Sequence, residues 1–218
     1  MRNERTMNRI AVIDYGMGNL RSVSKAIEHV APQAEVRVTA DPEVVRAADR
    51  VVFPGQGAMP DCMRELDARD LRPAVLDAAR SRPFLGICIG LQMLFDVSEE
   101  GNVPGLAVLP GRVRRFPRDA MVDDAGRRLK VPHMGWNRVH QAEPHPLWAG
   151  IADEERFYFV HSYFVEAGAP ELVAGFSVYA FPFTCAVARD NIFAVQFHPE
   201  KSHTSGLRLL ANFISWNP

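Results

Sequence analysis

The chain has 218 residues, enough for one well-buried domain, and 47% of them are apolar, which excludes a disordered, collagenous or coiled-coil protein. Its formal net charge of −1 leaves no general footprint for nucleic acid or an anionic membrane, and Arg112, Arg114 and Arg115 form the densest local basic patch. The 3 cysteines, Cys62, Cys88 and Cys185, are widely spaced and none sits in a CxxC pair, so neither a disulfide framework nor structural zinc is expected, and a reducing cytoplasm is.

The N-terminal run MRNERTMNR is charged and lacks the apolar segment of a signal peptide, and no stretch is apolar enough to predict a transmembrane helix. Residues 1–6 are expected to be a flexible extension, with Met7 as an alternative start. Residues 9–14 (RIAVID) predict a buried strand, followed by the loop YGMGN and a helix over residues 20–30. Residues 35–39 predict a second strand, and Asp41-Pro42 a helix start with Asp at the N-cap and Pro at the first position. A third strand over residues 50–53 ends at Pro54-Gly55-Gln56-Gly57, helical sequence over residues 59–80 is divided at Pro73, and residues 83–87 predict a fourth strand. A helix is expected to start at Ile89 and run through IGLQMLF. Strands alternating with helices imply parallel βαβ units.

From Leu109 onward short strand-like runs dominate: GRVRRF, RLKVPH, RFYFVHSYFV, ELVAGFSV, FTCAVA and NIFAVQF. A last helix is predicted over residues 204–216. The expected fold is one α/β domain over residues 1–218, an open mixed and mostly parallel sheet flanked by helices, with antiparallel strands in the second half.

Cys88 lies in Gly86-Ile87-Cys88-Ile89-Gly90, between an apolar strand and a helix start, the strand–nucleophile–helix order of a nucleophile elbow. Flanking glycines relieve crowding at such a turn, the helix N-terminus favours a thiolate, and the N–H of Ile89 is a natural oxyanion donor. A small buried hydrophobe is the competing reading of Cys88. A cysteine nucleophile needs a base and an orienting partner. His198 in Gln196-Phe197-His198-Pro199-Glu200 lies where a strand meets a polar loop, and in near-extended backbone Glu200 points the same way and suits the second imidazole nitrogen. Alone, His-x-Glu also reads as an incidental solvated loop; its weight comes from sharing the chain with Cys88.

With Pro54-Gly55-Gln56-Gly57, Gly86-Ile87-Cys88-Ile89-Gly90-Leu91-Gln92 and His198-Pro199-Glu200 in this order, the chain resembles the class I (triad-type) glutamine amidotransferases. Ile13-Asp14-Tyr15-Gly16-Met17-Gly18-Asn19-Leu20, Val131-Pro132-His133-Met134-Gly135-Trp136-Asn137 and Tyr158-Phe159-Val160-His161-Ser162-Tyr163 extend the resemblance to the glutaminase subunits of imidazole glycerol phosphate synthases. The resemblance implies a flavodoxin-like sheet and hydrolysis of L-glutamine at a Cys88–His198–Glu200 triad. It places an oxyanion hole at Ile89 and the Gly55, Gln56 and Gly57 loop. It implies a substrate contact by Gln92, which shares the nucleophile's helix face, and a pocket wall at Ser162 and Tyr163 through backbone groups. It implies a heterodimer with a separate (β/α)8-barrel cyclase that receives the ammonia. Tyr15, Gly16, Met17 and Asn19, with His133, Met134 and Trp136, read as loops rich in interface-type residues that would face that partner. Gln56 departs from the apolar residue expected at its position. No metal or cofactor motif is present. The alternatives at this stage are a glutaminase serving another synthase, a stand-alone cysteine hydrolase and a non-catalytic module.

Overall fold

The computed structural model describes residues 8–123 and 125–218, so the expected extension over residues 1–6, and Met7, lie outside the described residues. The apolar runs of the first half form strands β1 (Arg9–Ile13), β2 (Glu35–Thr39), β3 (Arg50–Phe53) and β4 (Phe84–Ile87), and all but the edge strand β2 are buried almost throughout. Between them lie α1 (Leu20–Val30), α2 (Pro42–Ala47), α3 (Met59–Ala68) and α4 (Arg72–Ser81). Asp41 accepts the Glu43 N–H at 2.9 Å, the cap the sequence signals, and the Asn19 side chain accepts the Ser22 N–H at 3.4 Å at the start of α1. Residues 69–71 separate α3 from α4, with Asp70 at φ 52°, so Pro73 sits in the first turn of α4 and not at the break itself.

The second half follows as α5 (Ile89–Gln92), β5 (Val97–Ser98), β6 (Val103–Pro104), β7 (Gly111–Arg115), β8 (His133–Gln141), β9 (Glu155–His161), β10 (Tyr163–Ala167), β11 (Val173–Tyr179), β12 (Phe181–Arg189), β13 (Ile192–Val195) and α6 (His203–Ser215). The main strand path runs β2-β1-β3-β4-β13-β12-β10-β7-β5-β6, with β11, β8 and β9 branching from β12. The run from β2 to β13 is parallel; β13 is the switch, pairing parallel with β4 and antiparallel with β12. Beyond it only β5–β7 is parallel, so the antiparallel share of this mixed sheet is larger than the sequence reading allots.

Alternation along β1 divides the core. Ala11 and Ile13 face a cluster filled by α2, α3 and α4; Ile10 and Val12 face one filled by α1 and α6, with Phe157, Phe193, Phe197 and Phe213. Each fully buried Phe contributes about 2–3 kcal/mol of transfer free energy. Among the described residues, no helix is long and apolar enough to cross a membrane.

Three expectations need correction. The helix expected through residues 89–95 stops at Gln92, because the carbonyls of Met93, Leu94 and Phe95 accept from Leu106, Leu109 and Ala107 instead of from the next helical turn. That segment is buried all round. RLKVPH is not a strand: only an isolated bridge at Arg128 forms, and pairing starts at His133, after Pro132, which has no N–H to give a ladder. Residues 133–137 are therefore strand β8, not a loop. The basic patch is only partly offset, since Arg112 and Arg114 pair with Glu166, and Arg114 also with Glu99.

Candidate active site

The parallel register sets Val195 of β13 beside Ile87 of β4, so the residues that follow the two strands emerge side by side at their carboxyl ends. On one side the chain turns at Cys88 with φ 56° and ψ −111°, a conformation that costs a non-glycine residue on the order of 1–3 kcal/mol. The turn is held by the Cys88 N–H, which donates to Val195 O at 2.8 Å. It also depends on close approach: a Cβ on Gly90 would lie 1.8 Å from the Phe53 carbonyl oxygen, so the start of α5 rests directly on the end of β3. Ile89 and Gly90 open α5, and their N–H groups have no carbonyl in a preceding helical turn.

On the other side Gln196 and His198, two residues apart, leave β13 together. The Gln196 N–H donates to Cys185 O at 2.8 Å and the His198 N–H to Tyr158 O at 2.9 Å. The His198 Nδ1–H donates to Glu200 Oε1 at 2.8 Å, with both side chains buried. This contact is made through the 3-10 turn Pro199–Lys201, not through the extended backbone expected from the sequence. Ser202 clamps the turn: its hydroxyl donates to His198 O at 2.6 Å and accepts the Tyr158 N–H at 3.0 Å.

The second imidazole nitrogen, His198 Nε2, is buried with no hydrogen-bond partner. Burial alone disfavours the imidazolium, but the neighbouring Cys88 sulfur and the Glu200 carboxylate outweigh it and raise the His198 pKa to about 10. At neutral pH this histidine is protonated and ready to give a proton. The arrangement is an imidazolium facing a sulfur, backed by a carboxylate.

Gln92 lies in α5 with both Nε2 hydrogens committed, one to Tyr163 O at 3.1 Å and one to Gln196 Oε1 at 2.9 Å. Its own Oε1 is left to accept from a ligand. Gln196 Nε2 lies 3.7 Å from Cys88 Sγ and donates to it. Cys88, Gln92 and His198 line a cavity of about 460 Å³, together with Ile89, Gln56, Gly57, Ser162 and Tyr163, and Gln196 is buried behind Cys88 and Gln92. Gly55 does not line the cavity. A Cβ there would lie 1.7 Å from the Tyr15 hydroxyl oxygen and 2.3 Å from Ile89 Cγ2, so Gly55 is a close-approach position behind the wall, a correction to its expected place in the oxyanion hole. The carbonyls of its loop are tethered from beneath: the Tyr15 hydroxyl donates to Pro54 O at 3.0 Å, and the Cys62 thiol to Gln56 O at 3.6 Å. Burial pushes the Tyr15 hydroxyl well above its usual range and the Cys62 thiol up to about 11, so both stay protonated donors.

Tyr15 and His133, expected on a partner-facing surface, are buried and make no surface at all. Tyr15 packs on Phe53 with ring centroids 5.6 Å apart. His133 belongs to a hydrogen-bonded chain whose tautomers are set from one end. The Tyr163 carbonyl only accepts, so His161 Nδ1 (2.8 Å away) carries its proton; His161 Nε2 then accepts from His133 Nδ1 at 2.9 Å, and His133 Nε2 from Asn137 Nδ2 at 3.3 Å. Burial lowers the His161 pKa to about 3 and the His133 pKa to about 4, which keeps both rings neutral. The other residues expected to face a partner are at the surface to different degrees. Gly16 and Asn19 are exposed and Met17 partly so; on β8, Met134 is 62% and Trp136 43% exposed.

Sequence reasoning missed Gln196, Glu100 and Lys201. Glu100 and Lys201 also line the cavity; Glu100 accepts the Met59 N–H at 2.8 Å and the Lys201 ammonium lies 5.9 Å from the Tyr158 ring centroid. Gln196 had a legible signal, its i,i+2 spacing to His198 just past the end of β13. Glu100 had none, because β5 and the turn after it bring it to the cavity only in three dimensions. An equally large hollow near Arg9 and Glu43 contains no nucleophile.

The chain matches the family model of the class-I glutamine amidotransferases over residues 11–216. It is 70% identical over 209 residues to the Thiobacillus denitrificans protein named imidazole glycerol phosphate synthase subunit HisH, covering 96% of this chain and 92% of that one. It is 68% identical over 212 residues to the Nitrosospira multiformis protein of the same name, covering 97% of this chain and 100% of that one. Among solved structures, a glutamine amidotransferase from Thermotoga maritima superposes with TM-score 0.59 at 16% identity, over 89% of this chain and 77% of that one, a likeness of fold.

Proposed function

The chain belongs to the class-I glutamine amidotransferase family, and from that membership we propose that it is the glutaminase subunit of an imidazole glycerol phosphate synthase, folded as one amidotransferase domain. It hydrolyses glutamine to glutamate and ammonia, and the ammonia serves histidine biosynthesis in the cytoplasm. The observation that carries the reading is the convergence of Cys88, His198 and the Gln92 amide on one cavity, with Glu200 hydrogen-bonded behind the imidazole.

The thiolate of Cys88, paired with the imidazolium of His198, attacks the side-chain amide carbon of glutamine. The oxyanion that forms is held by the Ile89 N–H and by an N–H of the loop at Gln56 and Gly57. His198 gives its Nε2 proton to the departing nitrogen, ammonia leaves, and a γ-glutamyl thioester remains on Cys88. Water then attacks the thioester, His198 takes its proton, and the C–S bond breaks with its electron pair returning to sulfur. Glutamate leaves, and the thiolate–imidazolium pair is restored. Glu200 holds the tautomer and supports the positive charge throughout. Gln92 Oε1 and the Glu100 carboxylate suit the α-ammonium of the substrate.

The partner is a (β/α)8-barrel cyclase that docks on the face bearing Gly16, Met17, Asn19, Met134 and Trp136 and consumes the ammonia. Glutamate release by the chain alone, and by the chain mixed with such a cyclase and its phosphoribosyl ligand, tests the reading. Weak release alone and strong release in the mixture is the expected result; strong release indifferent to the cyclase would remove the partner from it.

A further inference from the structure

Gln196 is fully buried, and neither end of its amide is spent on backbone. Burying an amide costs free energy unless both ends are satisfied, and a methionine or leucine would fill the same volume without that demand. Here Nε2 donates to Cys88 Sγ at 3.7 Å, while Oε1 accepts from Gln92 Nε2 at 2.9 Å. The backbone of Gln196 is itself fixed, by its N–H to Cys185 O at 2.8 Å in the neighbouring strand β12. The nucleophilic sulfur and the amide read above as the substrate contact are thus spaced by a single side chain.

We infer that Gln196 is a positioning residue of the glutaminase site, one that donates to the Cys88 sulfur and holds Gln92 at the same time, setting the separation between nucleophile and bound substrate. The inference rests on the proposed function. His198 Nε2 changes protonation twice in each turnover, so it cannot be a constant partner for the sulfur. The Gln196 N–H stays in place: it faces the thiolate before attack, and it donates again to the sulfur to which the electron pair returns when the C–S bond of the thioester breaks, as water's oxygen bonds to the acyl carbon and water's proton passes to His198. Its Oε1 turns the Gln92 Nε2 hydrogens inward, leaving Gln92 Oε1 toward the cavity.

Two substitutions separate the two ends. Q196M removes both, whereas Q196E keeps an acceptor for Gln92 and sets a carboxylate against the sulfur. The variants are compared with the parent chain for kcat and KM of glutamine hydrolysis with the cyclase present. The rate of Cys88 alkylation by iodoacetamide and the Tm are measured on the chain alone. Expected for Q196M are a kcat about tenfold or more lower, a KM several-fold higher (about three- to tenfold) and alkylation about tenfold slower. Q196E is expected to lose at least as much in kcat and alkylation rate while its KM stays within about twofold of the parent. The inference is overturned if both variants, folded like the parent, keep kcat and alkylation rate within about twofold, or if activity falls only in step with Tm while alkylation is unchanged. If the parent chain and C88S alike release no glutamate, the glutaminase reading fails instead, and the alkylation rates still decide the role of Gln196.

Discussion

The parallel strands β1, β3, β4 and β13 and the antiparallel ribbon β8–β9 handle the same alternation of side chains differently. The parallel strands are buried on both faces and end together, so the residues that leave them, Cys88, Gln196 and His198, emerge into one place with backbones already tied to neighbouring strands. The ribbon buries one face only. Its inward residues, His133, Phe157, Phe159 and His161, join the core, and only His161 of these reaches the cavity; Tyr158 and Val160 line the cavity from the half-buried face, while Met134 and Trp136 are exposed. A frame buried on both sides is stiff enough to hold a strained nucleophile, and a half-buried ribbon can join a catalytic cavity to an outer surface through a few buried hydrogen bonds.

The sharpest way to break this comparison is at the parallel end. Cys88→Ser is expected to lower glutamate release by roughly 10⁵-fold or more while leaving Tm within a few degrees, about 2 °C, of the parent; measurable hydrolysis above that level would remove Cys88 as nucleophile. Next comes Glu200→Gln, expected to cost roughly 10³–10⁴-fold in kcat. Without that carboxylate, burial is less opposed and the His198 pKa falls from about 10, which the C2–H proton resonance of His198 followed against pH would register. An unchanged titration would mean the 2.8 Å contact does not orient the imidazole.

The ribbon makes the third prediction, on stability. His133 and His161 have folded pKa values of about 4 and about 3, below the unfolded value of 6.5, so between pH 6.5 and about 4 the unfolded chain binds more protons than the folded one. Stability therefore falls as pH is lowered through that window, by roughly 2 kcal/mol for each ring near pH about 5. Urea midpoints measured across that range check it; a flat profile would show that the two rings are not held neutral. The smallest effect belongs to the outward face. Met134→Lys is expected to change unfolding free energy by less than about 0.5 kcal/mol and leave basal hydrolysis alone, while weakening stimulation by the cyclase in a titration. A large loss of stability would mean that Met134 is packed rather than exposed.

Much of the site is legible in the chain because its signals are local. The elbow at Cys88 needs a strand, a tight turn and a helix start within seven residues, and the close approach of Gly90 to Phe53 is the steric reason for the glycine the sequence shows. His198 and Glu200 are two residues apart, so their pairing was also visible, although it is made through a 3-10 turn and not an extended backbone. The caps of α1 and α2 belong to the same class of short-range cause.

What escaped the sequence depends on partners far along the chain. Tyr15 and His133 look like interface residues in their own segments; only the packing of Tyr15 on Phe53 and of His133 on Phe159 and Tyr179 buries them. Gln196 is one polar residue just past an apolar strand until β13 pairs with β4 and brings it to Cys88, 108 positions away in the chain. The sequence by itself determined the candidates proposed as nucleophile, base and orienting carboxylate, and the alternation of strands and helices, because covalent spacing and backbone sterics act over a few residues. The tertiary structure alone decided which polar side chains are desolvated and what they face, because burial and hydrogen-bond partnership arise only when distant strands meet.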